Sequence, residues 1–322
     1  MIRFTDPLSK ATAPKFPPLG PTDRAVKQAL LLAVSKIKKL YVAASVTRAL
    51  EANDIDRAVS LIRWDVGEEF LMSVLPQHLR SAYELAGHDG AKWLATETGV
   101  TVTFNIITPQ AVDWIRTHAA ELISQWGDSS REAIRDMIVN AFQHPDTTTI
   151  SRLAREIKTD GIGLTKQQTQ WVANMRARLI ADGRKPDQVD RMAERYSKRL
   201  LRMRTEMIAR TELKRAQTEA QKEQWRQSIE AGLIDPNDSV MEWTTRIDPR
   251  TCEDCVELDG ARAEIPGGEF RTDSGLVSSG PPEHPQCRCM LIVVPRDSKH
   301  KPSRAKPNDE TPGIRPISTL RG

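Results

Sequence analysis

The chain has 322 residues and a mass of 36.1 kDa, with 28% charged and only 5% aromatic residues. This length accommodates two domains of ordinary size, and dense charge with few aromatics favours a helical or assembly-bound protein over a compact β domain. The net charge of +4 is too small to indicate nucleic-acid binding by itself. No apolar run approaches the roughly 20 residues that cross a bilayer, so no membrane span is expected.

Residues 1–22 contain five prolines and show no hydrophobic periodicity. Because proline fixes φ and removes a backbone donor, this segment is predicted to be an extended arm. It also lacks the apolar stretch and cleavage pattern of a secretory signal, which makes a reducing compartment the expected environment of the cysteines.

Residues 23–148 are predicted to form an N-terminal helical region, because apolar side chains recur there at helical spacing. A second helix is expected from about Asp54, with Pro76 breaking or kinking it. The alternating Val and Thr residues near 100–107 instead predict one strand or hairpin arm. Pro109 closes that strand, and the helical period then returns.

Residues 149–230 are predicted to be the helical part of a second region. Gly161 and Gly163 end one helix at a tight corner. Thr165, with Gln168 three positions later, has the pattern of a capping box that starts the next helix.

The longest predicted helix begins after Pro186 and carries one apolar stripe as far as Trp225. Its other faces are rich in arginine and lysine. They are interpreted first as a solvated face with ion pairs such as that of Glu206 with Arg210, and alternatively as a surface for DNA phosphates or an acidic protein. No aromatic side chains for base stacking are interleaved among them.

Arg210 and Glu212 lie two positions apart on this helix and therefore point to different faces. Each is predicted to bind another element of the fold. Asp248 and Arg250 are the suitable partners, so these four residues are expected to connect the helix to the C-terminal module.

Residues 231–295 are predicted to be a small α+β module. The alternation around Trp243 predicts a strand, Asp259-Gly260 predicts a tight turn, and the apolar run 290–294 predicts a buried strand. So few strands are marginal in isolation. Residues 296–322 are polar and lack periodicity, which predicts a disordered tail with no further globular domain.

The candidate metal ligands all fall inside this module, and they are Cys252, Cys255, His284, Cys287 and Cys289. Two close pairs of thiols joined by a loop are typical of a tetrahedral zinc site, and the two-residue spacing lets both sulfurs of the first pair face one ion. We favour Cys252, Cys255 and Cys287, with His284 and Cys289 competing for the fourth position. Disulfides or free thiols are the alternatives. The predicted fold class is mainly α, with a small C-terminal α+β module stapled by a structural zinc knuckle.

Catalysis at this metal is not predicted. The nucleobase-deaminase pattern requires H-x-E upstream of the cysteine pair, whereas His284 follows it. A hydrolytic zinc keeps an open water position and often uses two or three histidines, and the other histidines show no ligand spacing. If the site were catalytic, Glu253, Asp254 and His284 would be the nearby candidate bases.

Several motifs occur in a fixed order over roughly residues 150–294. They are Gly163-Leu164-Thr165, Ile208-Ala209-Arg210-Thr211-Glu212, the run from Trp243 to Cys255, Leu258-Asp259-Gly260 and the run from Pro281 to Cys289. With this ordered set the chain resembles the phage Mu F-like head morphogenesis family, which comprises minor head proteins of tailed phages and prophages.

The resemblance implies a structural role in building the capsid, as a minor capsid protein inside the prohead near the portal vertex, and no enzyme activity. It implies the portal protein and the major capsid or scaffold proteins as partners, with packaged double-stranded DNA as a further partner. It places the protein in the virion and, during assembly, in the host cytoplasm. The alternative function is a zinc-dependent nuclease or DNA-binding factor that handles the packaged genome.

Overall fold

The structure is a computed structural model that describes residues 20–144, 148–245, 247–248 and 251–299. It is mainly helical with a small C-terminal strand module, which confirms the predicted fold class. The helices are α1 (Gly20–Leu40), α2 (Ala43–Glu51), α3 (Ile55–Ser60), α4 (Trp64–Thr98), α5 (Pro109–Gln143), α6 (Ile150–Glu156), α7 (Lys166–Ala181), α8 (Pro186–Glu230) and α9 (Glu253–Glu257). The strands are β1 (Ser239–Thr244), β2 (Arg262–Glu264), β3 (Phe270–Arg271), β4 (Val277–Ser278) and β5 (Met290–Pro295).

The described residues divide into two compact units, each discontinuous in sequence. The helical unit comprises residues 20–82 and 109–213, and the cysteine unit comprises residues 83–108 and 214–299, both within the described ranges. The domain boundaries predicted after residues 148 and 230 divide the sequence differently and remain predictions. No helix among the described residues is long and apolar enough to cross a membrane.

The N-terminal helices differ from the predicted ones, and the helix expected from about Asp54 is divided into α3 and α4 at residues 61–63. Helix α1 begins at Gly20, so the last three residues of the predicted arm are helical, while residues 1–19 lie outside the described residues. Helix α4 runs through Pro76 without ending there. The cap at Asp54 is present, because its carboxylate accepts a hydrogen bond from the Arg57 amide at 2.9 Å.

The predicted corner at residues 161–165 is confirmed in the helical unit. Gly163 has a φ of +89°, and a Cβ at this position would lie 2.6 Å from a methyl group of Val34. The Thr165 hydroxyl accepts from the Gln168 amide while the Gln168 side chain accepts from the Thr165 amide, which is the capping box. The buried guanidinium of Arg204 donates to the Gly163 carbonyl at 2.7 Å. The corner therefore requires both glycine's conformational freedom and its lack of a side chain.

Replacing Gly163 by alanine is expected to destabilise the protein by about 2 kcal/mol or more, because left-handed strain and a steric clash add. Gly183→Ala is the matched control, since Gly183 also has a positive φ of 72° but has open space where a Cβ would be. Its expected loss is about 1 kcal/mol. Urea unfolding measures both, and equal losses would show that the contact with Val34 adds nothing.

A buried ion pair stabilises the same unit. Residues Ile157–Gly161 form a π-helical turn that continues α6 and carries the buried carboxylate of Asp160. The Arg176 Nε atom donates to one carboxylate oxygen at 2.9 Å, and the Ser197 hydroxyl donates to the other at 2.9 Å. Arg176 also contacts Asp190 at 2.6 Å. Burial opposes the charged form of Arg176, but the neighbouring carboxylates raise its pKa, so the guanidinium stays charged inside the unit.

The strand predicted near residues 100–107 is absent from the structure, so this prediction is wrong. Residues 101–105 have no regular secondary structure. The Asn105 amide donates to the Gln227 side chain at 2.8 Å, and the Gln227 amide group donates back to the Asn105 carbonyl at 2.8 Å. Phe104 is buried against Tyr83 and His88. The Gln227 side chain on α8 thus forms the hydrogen bonds to the Asn105 backbone that a neighbouring strand would form in a sheet.

The cysteine unit contains a three-stranded antiparallel sheet in the order β2-β1-β5 and a separate β3-β4 hairpin. Trp243 lies opposite Leu291, and Met241 lies opposite Val293. The indole of Trp243 meets the ring of Phe270 edge to face, with centroids 5.4 Å apart. These side chains are buried and form one core, which also includes three of the cysteines.

Part of the predicted disordered tail is ordered. The Arg296 side chain binds Glu264 at 2.7 Å, and the Arg262 guanidinium donates to the Ser298 carbonyl at 2.6 Å. Residues 296–299 therefore belong to the cysteine unit, and residues 300–322 lie outside the described residues.

Candidate metal centre

The first cysteine pair is positioned by the short helix α9. Cys252 is its N-cap, and the Cys252 sulfur accepts a hydrogen bond from the Cys255 amide at 3.4 Å. One helical turn therefore brings the two side chains to the same side of the chain, as the two-residue spacing predicts.

The second pair lies just before β5. Cys287 and Cys289 are buried while Arg288 between them is exposed, so the predicted alternation is correct although the strand itself begins only at Met290. A turn precedes them, in which the Cys287 amide donates to the His284 carbonyl at 3.1 Å. This turn places the imidazole of His284 beside the first pair.

The five predicted ligands form two groups that share Cys255. One group is Cys252, Cys255 and His284, the other is Cys255, Cys287 and Cys289, and within each group the ligand atoms lie within 4.8 Å of one another. The sulfurs of Cys255 and Cys287 are 3.8 Å apart. Two sulfurs on a tetrahedral ion, each about 2.3 Å from it, would also be about 3.8 Å apart. Four sulfurs and one imidazole are thus a donor set that could hold a metal ion.

The tautomer of His284 follows from its neighbours. Its Nδ1 atom lies 2.9 Å from the Pro285 carbonyl, which can only accept, so Nδ1 carries the proton. The Nε2 atom of the neutral ring is then an acceptor, and it lies 3.2 Å from the Cys255 sulfur. The imidazole therefore presents a lone pair to the cysteines, as a metal ligand must.

Neighbouring groups orient the cysteines. The Thr245 hydroxyl donates to the Cys255 carbonyl at 2.8 Å and lies 3.3 Å from the Cys289 sulfur. Asp248 accepts two hydrogen bonds of 2.6 Å from the guanidinium of Arg288. Asp248 thus pairs with an arginine of its own module, and its predicted pairing with the long helix stays a prediction.

Hydrogen bonds couple the buried thiols of the site. Hydrogen bonds from the thiols of Cys255 and Cys289 lower the pKa of Cys287, and the same bond with Cys287 raises the pKa of Cys255. The thiol of Cys287 therefore has a lower pKa than the thiol of Cys255. Burial lowers the pKa of Lys214 to about 8, against the opposing attraction of Cys287 and Cys289.

The helix residues expected to contact this module have partners within the helical unit. Arg210 pairs with Glu206 at 2.7 Å and approaches Asp23 at 4.0 Å, and its predicted contact with the module stays a prediction. Glu212 binds the buried Nε2 atom of His118 at 2.6 Å. Pairing of Glu212 with Arg250 stays a prediction, because Arg250 lies outside the described residues.

Three of the residues described above were not predicted from the sequence, namely His118, Thr245 and Lys214. His118 has no ligand spacing and lies 94 positions from Glu212, so no local pattern indicates the pair. Thr245 lies within the run from Trp243 to Cys255, but no pattern there singles out its hydroxyl, and Lys214 belongs to no motif. Only the predicted proximity of the long helix to the cysteine module would have suggested Lys214.

Residues 178–292 match the model of one family, described as Phage Mu protein F like protein. The match runs from the second half of α7 into β5 and includes all five candidate ligands. It covers a little over a third of the chain and begins after the corner at residues 161–165. No curated protein and no solved structure matches the chain. The chain therefore carries a phage Mu protein F-like region over residues 178–292.

Proposed function

We propose that this protein is a phage minor capsid protein that acts structurally in prohead assembly near the portal vertex. The observation that carries the proposal is the family match over residues 178–292, a region whose candidate metal ligands are part of a hydrophobic core. Three cysteines pack with Trp243 and Leu291 in that core. A metal ion held there would stabilise the module rather than meet a substrate.

The metal we propose is zinc. Thiolate and imidazole ligands suit Zn²⁺, and structural zinc sites are closed by four such ligands. Cys255, Cys287 and Cys289, with Cys252 or His284, would hold the ion. Bound zinc would supply folding free energy to a sheet of three short strands that is marginal without it.

The proposed partners are the portal protein and the major capsid or scaffold proteins, with packaged double-stranded DNA as a further partner. The proposed location is inside the head near the portal in the virion, and the host cytoplasm during assembly. A role in a specific assembly requires the chain to be recruited by one of these proteins.

Co-expression with the portal, scaffold and major capsid proteins of the same phage tests the role. Wild-type protein is expected in purified proheads and is expected to be lost from them when the portal gene is omitted. Quantitative mass spectrometry of the proheads measures both. Asp273→Ala, an exposed change in the cysteine unit, is the control and should be incorporated normally. Incorporation that does not depend on the portal protein would refute the portal-proximal role.

A zinc-dependent nuclease is the second candidate, because Glu253 and Asp254 are exposed in the first turn of α9, directly after Cys252. Either carboxylate has the position to act as a base beside a metal. Zinc-loaded protein incubated with linear duplex DNA is expected to leave it intact. Cleavage that Glu253→Gln or Asp254→Asn abolishes would replace the structural assignment with the catalytic one.

DNA binding without cleavage is supported by Arg195, Arg199 and Arg202 on α8, which are exposed and form no ion pair among the described residues. Binding through phosphates would weaken steeply as salt rises, because counterions are released. A triple change to glutamine should reduce the salt slope, whereas lack of binding at low salt would exclude this activity.

A further inference from the structure

The two donor groups of the metal centre differ in burial. Cys255, Cys287 and Cys289 are all buried, and their relative exposures are 2%, 6% and 2%. Cys252 and His284 are only partly buried. The shared residue Cys255 thus connects a buried set of three thiols to two donors that reach the surface.

Five donors exceed the four positions of a tetrahedral ion. The three buried sulfurs are fixed by the core around them, in which side chains interdigitate at close packing. Cys252 and His284 each have a donor atom within 4.8 Å of the Cys255 sulfur, so each could approach an ion bound to Cys255. These two residues are therefore the candidates for the fourth position.

We propose that Cys255, Cys287 and Cys289 hold the ion permanently and that Cys252 and His284 alternate as its fourth ligand. This inference rests on the proposed zinc site and departs from the set favoured from sequence, in which Cys252 was permanent and Cys289 contested.

Both alternating donors are positioned beside Cys255. The Cys252 sulfur lies at the N-terminus of α9 and accepts the Cys255 amide hydrogen at 3.4 Å. The His284 Nδ1 atom lies 2.9 Å from the Pro285 carbonyl, and its Nε2 atom faces the Cys255 sulfur at 3.2 Å. In the exchange one metal–sulfur bond breaks and one metal–nitrogen bond forms. Because a neutral imidazole replaces a thiolate, the net charge of the zinc complex changes from −2 to −1.

A fifth donor near the surface would keep the ion four-coordinate during ligand exchange. One ligand can leave while the other takes its position, so the ion is never left with three ligands and an open water position. This arrangement keeps the site structural and separates it from a hydrolytic zinc, which retains such a position.

The test compares single and double substitutions of the full-length protein. Cys252→Ser and His284→Ala should each retain about one zinc per chain and lose about tenfold or less in zinc affinity, whereas the double variant should lose more than about 100-fold. Cys287→Ser and Cys289→Ser should each lose as much as the double variant. Elemental analysis gives the stoichiometry, and competition with a chromophoric chelator gives the affinity.

Cobalt substitution identifies the ligands independently of stability. Sulfur-to-cobalt charge-transfer absorption grows with the number of bound thiolates, so it should be stronger in His284→Ala than in Cys252→Ser. Loss of metal in Cys252→Ser alone, to the extent seen in Cys287→Ser, would overturn the inference. Retention of metal in Cys289→Ser would overturn it also. Wild-type protein that takes up neither zinc nor cobalt would refute the proposed zinc site itself, a result distinct from failure of the exchange.

Discussion

Removal of the metal is expected to unfold the cysteine unit while the helical unit keeps most of its helix. Structural zinc contributes apparent binding free energies on the order of 10 to 16 kcal/mol, which is comparable to the whole stability of a domain. The core around Trp225, Trp243 and Phe270 includes the cysteines, so it should lose its fixed packing when they lose their ligand.

A strong chelator, or the double change Cys255→Ser with Cys287→Ser, should therefore abolish the near-ultraviolet circular dichroism that Trp225 and Trp243 contribute, whereas the buried Trp64 and Trp126 of the helical unit should keep theirs. The signal at 222 nm should fall only in part, because α1 to α3 and α5 to α7 lie in the helical unit. Asp273→Ala is the control in the same unit and should change neither signal. Near-ultraviolet dichroism that does not fall on full metal removal would contradict a metal-dependent core.

Substitution of Arg176 by methionine is expected to destabilise the helical unit by about 3 to 5 kcal/mol, because it leaves the buried carboxylate of Asp160 without its counter-charge. The Arg176 and Asp160 side chains are only 10% and 3% exposed. A loss of this size lowers the midpoint of thermal unfolding by about 10 °C in a protein of this length.

Arg191→Gln is the matched control, since it breaks an ion pair with Asp187 whose two side chains are 63% and 61% exposed. Such surface pairs contribute about 1 kcal/mol or less. Differential scanning calorimetry compares the two variants. The double change of Arg176→Met with Asp160→Leu should recover part of the loss, because replacing both partners removes the unpaired charge. Equal midpoints of thermal unfolding for Arg176→Met and Arg191→Gln would show that the buried ion pair contributes no more stability than the exposed one.

Structural features that depend only on residues close together in the chain could be predicted from the sequence. The spacing of Cys252 and Cys255 places both side chains on one turn, and that relation is local. The capping box of Thr165 with Gln168 is equally local, because both hydrogen bonds close within three residues. Helical periodicity likewise predicted the mainly α fold, and the motif order predicted the family region.

The hydrogen bonds and ion pairs between groups far apart in the chain became known from the tertiary structure alone. The segment near residue 105 has strand-forming residues, yet its backbone is bound by Gln227, which lies 122 positions away. Arg210 pairs with a glutamate one turn back on its own helix. Burial separated the three core sulfurs from Cys252 and His284, a distinction that spacing cannot make because it depends on what packs around each atom. Local propensity fixes short-range geometry, while long-range pairing depends on which surfaces the fold brings together.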